Sequence, residues 1–369
     1  MTLAGTSPET VRTALEEGDP LPGTTGFAGE TAGVLVRDVL GRYPLFFESA
    51  DPTTWRHDPT TLAEPQRLPA GHVCPTGADP TRNGAVGRPR RRWTLPERDP
   101  FADDETAVAA VRTALEESLS AVAAGDGDLA IAFSGGIDSG LLAARFDAPL
   151  YVVGFPDSHD IEAARSGATL LDRELRVVEL DHATLEAAVP RVAAAIDRTN
   201  PMDIQIALPL FVLAEQVRAD GFDRLALGQA ADELFGGYAK VENAPDDHRV
   251  AADTVRGARD ELLDTIPDQF ERDRLALGAA GIDPVTPLAH DRVVQAALSL
   301  DGGQLVRGGT RKWALRRAAD PWLPDGIAGR DKKALQYGTL ASRELDRLAR
   351  QAGYKRRIDD HVQKYVESL

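Results

Sequence analysis

Two hydroxyls, two glycines and one carboxylate crowd residues 134–139 of the stretch Asp128-Leu-Ala-Ile-Ala-Phe-Ser-Gly-Gly-Ile-Asp-Ser-Gly140. Ile131, Ala132 and Phe133 form a continuous apolar run, as expected of a strand buried on both faces of a parallel sheet. Gly135 and Gly136 let the backbone turn tightly and approach a ligand with no Cβ in the way. Ser134 and Ser139 add hydroxyls, and a helix starting at the turn would aim its first amides at whatever sits above the strand end. Such a turn suits an anion, phosphate above all. Asp138 would repel bare phosphate, so its place inside the turn fits a magnesium ion that phosphate oxygens also ligate. The spacing is neither the glycine loop that closes on Lys-Ser/Thr nor the G-x-G-x-x-G dinucleotide turn.

These residues need a sheet to hold them, and the following sequence supplies its strands. Leu150-Tyr-Val-Val-Gly-Phe155, Leu175-Arg-Val-Val-Glu-Leu180 and Arg224-Leu-Ala-Leu-Gly228 read as strands, separated by helical patterns over 160–171, 182–197 and 204–219. Strands alternating with helices at this spacing predict an α/β fold with a parallel sheet and ligands outside the carboxyl ends of the strands. A further helix is expected where Val108, Val111, Leu115, Leu119 and Val122 recur, up to Gly125-Asp-Gly127. From Pro245 onward the pattern is helical, broken at Pro284, Pro287, Gly302-Gly303 and Pro324. Residues 1–100 are rich in Pro, Gly and Thr, and predict a small β-rich part in which 33–38 pairs with 43–48 through a turn at Gly41. The basic segment 79–92 reads as a loop between two domains.

The chain of 369 residues is long enough for one large α/β domain and a smaller one. No apolar run approaches a membrane span and the first residues lack a leader pattern, so a cytoplasmic protein is expected, with no membrane partner. One cysteine, Cys74, excludes an internal disulfide and a multi-cysteine metal site. The 58 acidic residues outweigh 42 basic ones for a net charge of −16, and only six of the basic residues are lysines. Acidic surfaces with arginine in place of lysine look like those of proteins from salt-loving organisms, where salt screens self-repulsion; an acidic partner-binding surface is the alternative. The charge argues against nucleic acid as a partner.

The Ser-Gly-Gly-Ile-Asp-Ser hexapeptide resembles the signature of the PP-loop ATP pyrophosphatases, which split ATP between its α- and β-phosphates. A second motif, Gly228-Gln-Ala-Ala-Asp-Glu-Leu-Phe-Gly-Gly-Tyr238, follows the last of the predicted strands. Together the two closely resemble the synthetase domain of asparagine synthetases and their β-lactam synthetase relatives. The resemblance implies a PP-loop sheet, ATP and magnesium as cofactors, and Asp232 as a second metal-binding carboxylate beside Asp138. It implies that Ser134, Gly135, Gly136, Asp138 and Ser139 hold the pyrophosphate, and that the strand ending at Gly154-Phe155, with Gly228, lies along the nucleotide. Asp160 and Ala163-Ala-Arg165 stand in place of the family's Asp-Glu-x-x-x-Ala-Arg. Lys312-Trp-Ala-Leu-Arg-Arg317, Leu323-Pro324 and Arg330-Asp-Lys332 resemble its Lys-x-x-Leu-Arg, Leu-Pro and Arg-x-Lys series, which makes Lys312 an ATP-side residue, Lys332 the catalytic lysine and Arg330 its support.

The sequence also departs from that pattern. Asp283-Pro-Val-Thr-Pro-Leu-Ala-His290 stands where the family has Glu-x-Arg-x-Pro-Phe-Leu-Asp, so Asp283 is expected to replace the glutamate that assists catalysis, with the arginine missing. Ala230 stands where a glycine is usual. The family's full-length members begin with a glutaminase domain whose terminal cysteine attacks glutamine; here residue 2 is Thr2 and no cysteine precedes Cys74. Yet 34–46 resembles that domain's Arg-Asp-x-x-Gly-x-x-Pro-Leu-Phe hairpin, and Leu68-Pro-Ala-Gly-His72 its Pro-Gly-His turn. Residues 1–95 are therefore expected to be a shortened, inactive glutaminase-like remnant, and 101–369 the PP-loop domain. The resemblance implies an AMP-forming C–N ligase that adenylates a carboxylate, aspartate being the simplest, for attack by ammonia or an amine. A separate ammonia-supplying subunit is one source of nitrogen left open, and a non-catalytic nucleotide-binding scaffold is the alternative function.

Overall fold

The computed structural model describes residues 3–77, 87–123, 127–244, 252–329, 335–356 and 359–369. Arg330, Lys332 and Lys333 lie outside the described residues, as do Thr2 and most of the segment expected to link two domains. The chain divides into two compact units. The first comprises Met1–Ala121, Gln229–Glu271 and Thr286–Ala318, and the second Val122–Gly228, Arg272–Val285 and Ala319–Leu369.

In the first unit the N-terminal helix Pro8–Glu17 starts at Ser7, whose hydroxyl accepts from the Thr10 amide, with proline at its first position, and stops at Gly18 with φ +75°. Seven short strands follow: β1 (Ala28–Thr31), β2 (Val34–Arg37), β3 (Phe46–Glu48), β4 (Trp55–Arg56), β5 (Pro65–Arg67), β6 (His72–Pro75) and β7 (Arg90–Arg91). They form an antiparallel sheet in the order β1-β2-β6-β7 and a second in the order β4-β3-β5. Period-two alternation along β2 and β6 separates two cores. Val34, Val36 and Val73 pack with Val11, Phe27 and Trp93, whereas Leu35 and Cys74 face Phe47, Trp55 and Leu68.

The expected pairing of 33–38 with 43–48 does not form, because β2 and β3 belong to different sheets. A buried corner separates them. Asp38 accepts from the amides of Leu40 and Arg42 and from the Arg42 guanidinium at 2.8 Å, which turns the chain away from a hairpin. Arg42 also reaches Asp291 at 2.7 Å, with all three side chains fully buried. Burial alone would lower the Arg42 pKa, but Asp291 and Asp38 outweigh it and hold it above its ordinary value. Part of the expected linker is also strand: Arg90–Arg91 adds to β6 at the sheet edge.

The second unit is built on a five-stranded parallel sheet of β8 (Leu129–Ala132), β9 (Leu150–Gly154), β10 (Leu175–Glu179), β11 (Arg224–Ala226) and β12 (Asp283–Val285), in the order β10-β9-β8-β11-β12. Every residue of the inner strand β9 is buried, while edge strand β10 is half-buried or exposed. Helices Ile137–Arg145 and His159–Leu170 make the crossovers on one side, and His182–Ile196 and Pro201–Ala219 carry the chain from β10 back to β11. The chain leaves β8 toward β9 and later returns to the opposite side of β8. The carboxyl ends of β8 and β11 are therefore the switch point at which open α/β sheets bind ligands. β12 is a fifth strand that the helical reading of the C-terminal part missed. It is three residues long and contains Pro284, tolerated because the strand is at an edge.

Candidate active site

The turn after β8 has the form its sequence demands. Gly135 takes φ +74°, and a Cβ there would run into the Ala163 carbonyl. Gly136 caps the helix Ile137–Arg145 with no side-chain hydrogen bond, a start of the kind that suits an anion. Ser139 Oγ lies 3.3 Å from Ser134 Oγ and accepts from the Ser134 amide at 3.2 Å, so the two hydroxyls named from the sequence flank one turn. Asp138 and Ser139 are buried. Gly228, just past β11, packs so closely that a Cβ would lie 2.7 Å from that of Asp138. Ser134, Gly135, Gly136, Asp138, Ser139 and Gly228 are thus gathered at the switch point.

The end of β9 is more heavily used than the nucleotide reading expects. The Phe155 amide donates to the Thr339 carbonyl at 3.1 Å, and the carbonyls of Gly154 and Phe155 accept from Leu180 and Ser158. Phe155 lies against the His182 ring, 5.6 Å between centroids. His182 in turn bonds the buried Glu344 carboxylate at 2.7 Å, and although burial alone would raise that carboxyl, His182 and Arg343 hold it below its ordinary range. Nearby, Asp160 is buried in the first turn of its helix with its carboxylate against Gly338, where no Cβ would fit. Neither Glu344 nor Gly338 was singled out from the sequence, because each meets its partner from more than 150 residues away.

Asp283 is not brought to this place. It opens β12 in register with Arg224 and, through β11, with Leu129, so it stands at the amino end of the sheet. Its side chain is 61% exposed and paired with Arg274 at 2.8 Å.

In the first unit, Asp232 sits on the short helix Ala231–Phe235, introduced by Ala230 at φ +75° and ended by Gly236 at φ +72°. The left-handed conformation at 230 explains why glycine suits that position. Lys312 is 5% exposed and its ammonium lies 2.7 Å from Asp232 Oδ1. The next residue, Glu233, is buried and accepts from the Tyr238 hydroxyl at 2.6 Å. Burial, with the charge of Asp232 beside it, pushes the Glu233 carboxyl above its ordinary range. Both partners lay inside the motif read from the sequence, but their spacing of five gave no sign that they bond.

Residues 110–265 and 259–366 match the asparagine synthase family. The chain belongs to that family. A Methanocaldococcus jannaschii protein with the provisional name asparagine synthetase (glutamine-hydrolyzing) 1 is 29% identical over 286 residues, 68% of this chain and 53% of that protein. Asparagine synthetase B (glutamine-hydrolyzing) of Escherichia coli is 24% identical over 264 residues, 65% of this chain and 46% of its own. The chain thus spans about half the length of the curated relatives it matches. Among solved structures, NAD+ synthetase from Burkholderia pseudomallei aligns with 69% of this chain and 98% of its own at 16% identity, with a TM-score of 0.26 too low to carry an argument. Family membership agrees with the resemblance read from the two motifs.

The donor set suits phosphate and a divalent cation together. Gly135 lets the turn pack against the Ala163 carbonyl, the helix that follows starts with no side-chain cap, as suits an anion, and Asp138 in the same turn is of the residue type that ligates divalent cations. Among the described residues no three or more His, Cys, Asp or Glu form a metal cluster. A cation here would therefore rely on a few carboxylates plus phosphate oxygens, as magnesium does with nucleotides. Among the described residues, no helix is long and apolar enough to cross a membrane.

Proposed function

We propose that this chain is an ATP-dependent, AMP-forming amide ligase that adenylates a small carboxylate, aspartate in the simplest case, and transfers the acyl group to ammonia or an amine. The observation that carries this reading is the glycine turn at Ser134 to Ser139, entering an uncapped helix at the switch point of a parallel sheet, in a chain of the asparagine synthase family.

In this reaction a carboxylate oxygen attacks the α-phosphorus of ATP, the bond from that phosphorus to the bridging oxygen breaks, and pyrophosphate leaves. The amine then attacks the acyl carbon, AMP departs with the bonding pair, and the nitrogen loses a proton. The amides and hydroxyls of residues 134–139 bind the departing phosphates and stabilise their growing charge without reorganising. The family resemblance assigns Lys312 to the pyrophosphate side, and assigns Asp138 and Asp232 to magnesium, which when bound would neutralise phosphate charge. The family resemblance assigns Lys332, supported by Arg330, to the transition state. Asp283, paired with Arg274 at the amino end of β12, has no part in the proposal.

The test is release of AMP and pyrophosphate from ATP and magnesium, at low salt and in molar KCl, with aspartate present or omitted and with ammonium or glutamine offered separately. Release that requires aspartate and a nitrogen source supports the proposal, and the two nitrogen arms identify the donor. A folded protein that binds ATP but releases nothing with any of these, or with a panel of other amino-acid carboxylates, sinks the ligase reading in favour of a nucleotide-binding scaffold.

A further inference from the structure

The carboxylate proposed above for magnesium already has a cation on it. Lys312 Nζ and Asp232 Oδ1 are 2.7 Å apart, with the lysine side chain 6% and the aspartate 33% exposed. The lysine is held there under strain, because its φ of +56° is a left-handed conformation that disfavours any residue with a Cβ. Its surroundings impose that conformation. Val306–Arg307 and Thr310–Arg311 form a hairpin closed by Gly308 at φ +54° and Gly309 at φ +78°, which delivers the chain to residue 312. Arg311 donates to the Gly237 carbonyl at 2.9 Å, tying this hairpin to the loop after Asp232. A Cβ on Gly237 would collide with both the Asp232 carboxylate and Lys312 Cε, so the lysine chain runs directly along that glycine. Arg307 anchors the hairpin, with two guanidinium nitrogens on Asp104 and its guanidinium carbon 3.9 Å from the centroid of the Trp313 ring.

A lysine that served only to meet phosphate could wait in solvent with its rotamers free. This one is buried, strained and braced on a carboxylate. A divalent cation on Asp232 would face the buried ammonium at short range, and the repulsion is relieved only when an anion arrives to take the lysine. We propose that Lys312 is a stand-in cation: it occupies Asp232 in the nucleotide-free protein and gives way only when metal and phosphates arrive together. The protein thereby binds metal and nucleotide as one unit and discriminates against free divalent ions. This inference rests on Asp232 being a metal ligand, as in the function proposed above.

The experiment titrates Mn2+ into the full chain without nucleotide, reading free Mn2+ by electron paramagnetic resonance. Lys312→Met removes the stand-in and is expected to bind Mn2+ about 10-fold more tightly than the natural chain, whereas Lys312→Arg, which keeps the charge, stays close to it. Lys312→Met binding no more tightly than the natural chain overturns the inference. Lys312→Gln serves if the methionine variant does not fold. Should neither fold, the natural chain decides: Mn2+ affinity, corrected for the solution complex, must rise about 10-fold with saturating inorganic pyrophosphate, and no rise overturns the inference. Asp232→Asn separates the two levels of the argument. If Mn2+ binding survives it unchanged in the Lys312→Met background, Asp232 is not a ligand and the magnesium assignment itself fails. If it abolishes binding in both backgrounds while Lys312→Met alone changes nothing, the ligand stands and only the stand-in role falls.

Discussion

At Gly135 the chain is shaped by close backbone packing, whereas at Asp232 it carries side-chain charge already matched by a buried lysine. The first arrangement is made by shape. Its helix starts without a side-chain cap, and the turn exists only because residue 135 has no Cβ. The second is made by charge, and its geometry depends on which cation the carboxylate holds. A cradle of the first kind fails when atoms are added to it. A paired carboxylate of the second kind fails when charge is removed, even if the shape stays the same.

The sharpest way to break this contrast is Gly135→Ala. The new methyl meets the Ala163 carbonyl, and φ +74° strains any other residue by about 1–3 kcal/mol. Pyrophosphate release should fall by roughly 100-fold or more, since displacing a reacting group by about an ångström costs that much. A fall in melting temperature should accompany it. Unchanged ATP affinity by calorimetry would show that the turn is not the phosphate site. Asp232→Asn comes next and tests the charge side, because it preserves shape while removing one negative charge. Turnover is expected to drop by about 100-fold, with ATP still binding at the turn. The variant also leaves Lys312 buried without that partner, and because Asp232 is a third exposed the stability cost should be only about 1–2 kcal/mol, read from urea denaturation. Full turnover in Asp232→Asn would remove this residue from the mechanism.

Local features were legible in the sequence and distant ones were not. The turn at 134–139 could be read because strand, glycines and helix start are contiguous, so six residues carry their own geometry. That β8 to β11 are strands of a parallel sheet followed from hydrophobic runs at regular spacing. Three readings needed information that adjacent residues do not hold. β2 finds its partners at 28–31 and 72–75 because Asp38 and Arg42 turn a corner secured by Asp291, some 250 positions away. β12 is three residues with a proline, below what alternation can reveal, and its direction decides that Asp283 stands at the amino end of the sheet. The pairing of Lys312 with Asp232 spans 80 positions and arises from the hairpin at 306–311, which the sequence reading did not pick out.

Two smaller changes sharpen the comparison inside the Asp232 segment, separating its scaffold from its charge. Tyr238→Phe deletes the hydroxyl that donates to buried Glu233 and should cost about 1–3 kcal/mol in urea denaturation, with pyrophosphate release per folded molecule nearly unchanged. A large loss of turnover at unchanged stability would move Tyr238 from the scaffold into the chemistry. Ala230→Gly should act in the opposite direction. At φ +75° the alanine methyl is strained, and removing it should relieve about 1 kcal/mol, offset in part by the greater freedom glycine gives the unfolded chain. A rise in melting temperature of a degree or two, with unaltered Mn2+ affinity, would show that the backbone entering this helix can be relaxed without touching the Asp232 charge. If relief at 230 instead shifts Mn2+ binding, the strained entry helps aim the carboxylate, and the line between shape and charge drawn above would not hold within this segment.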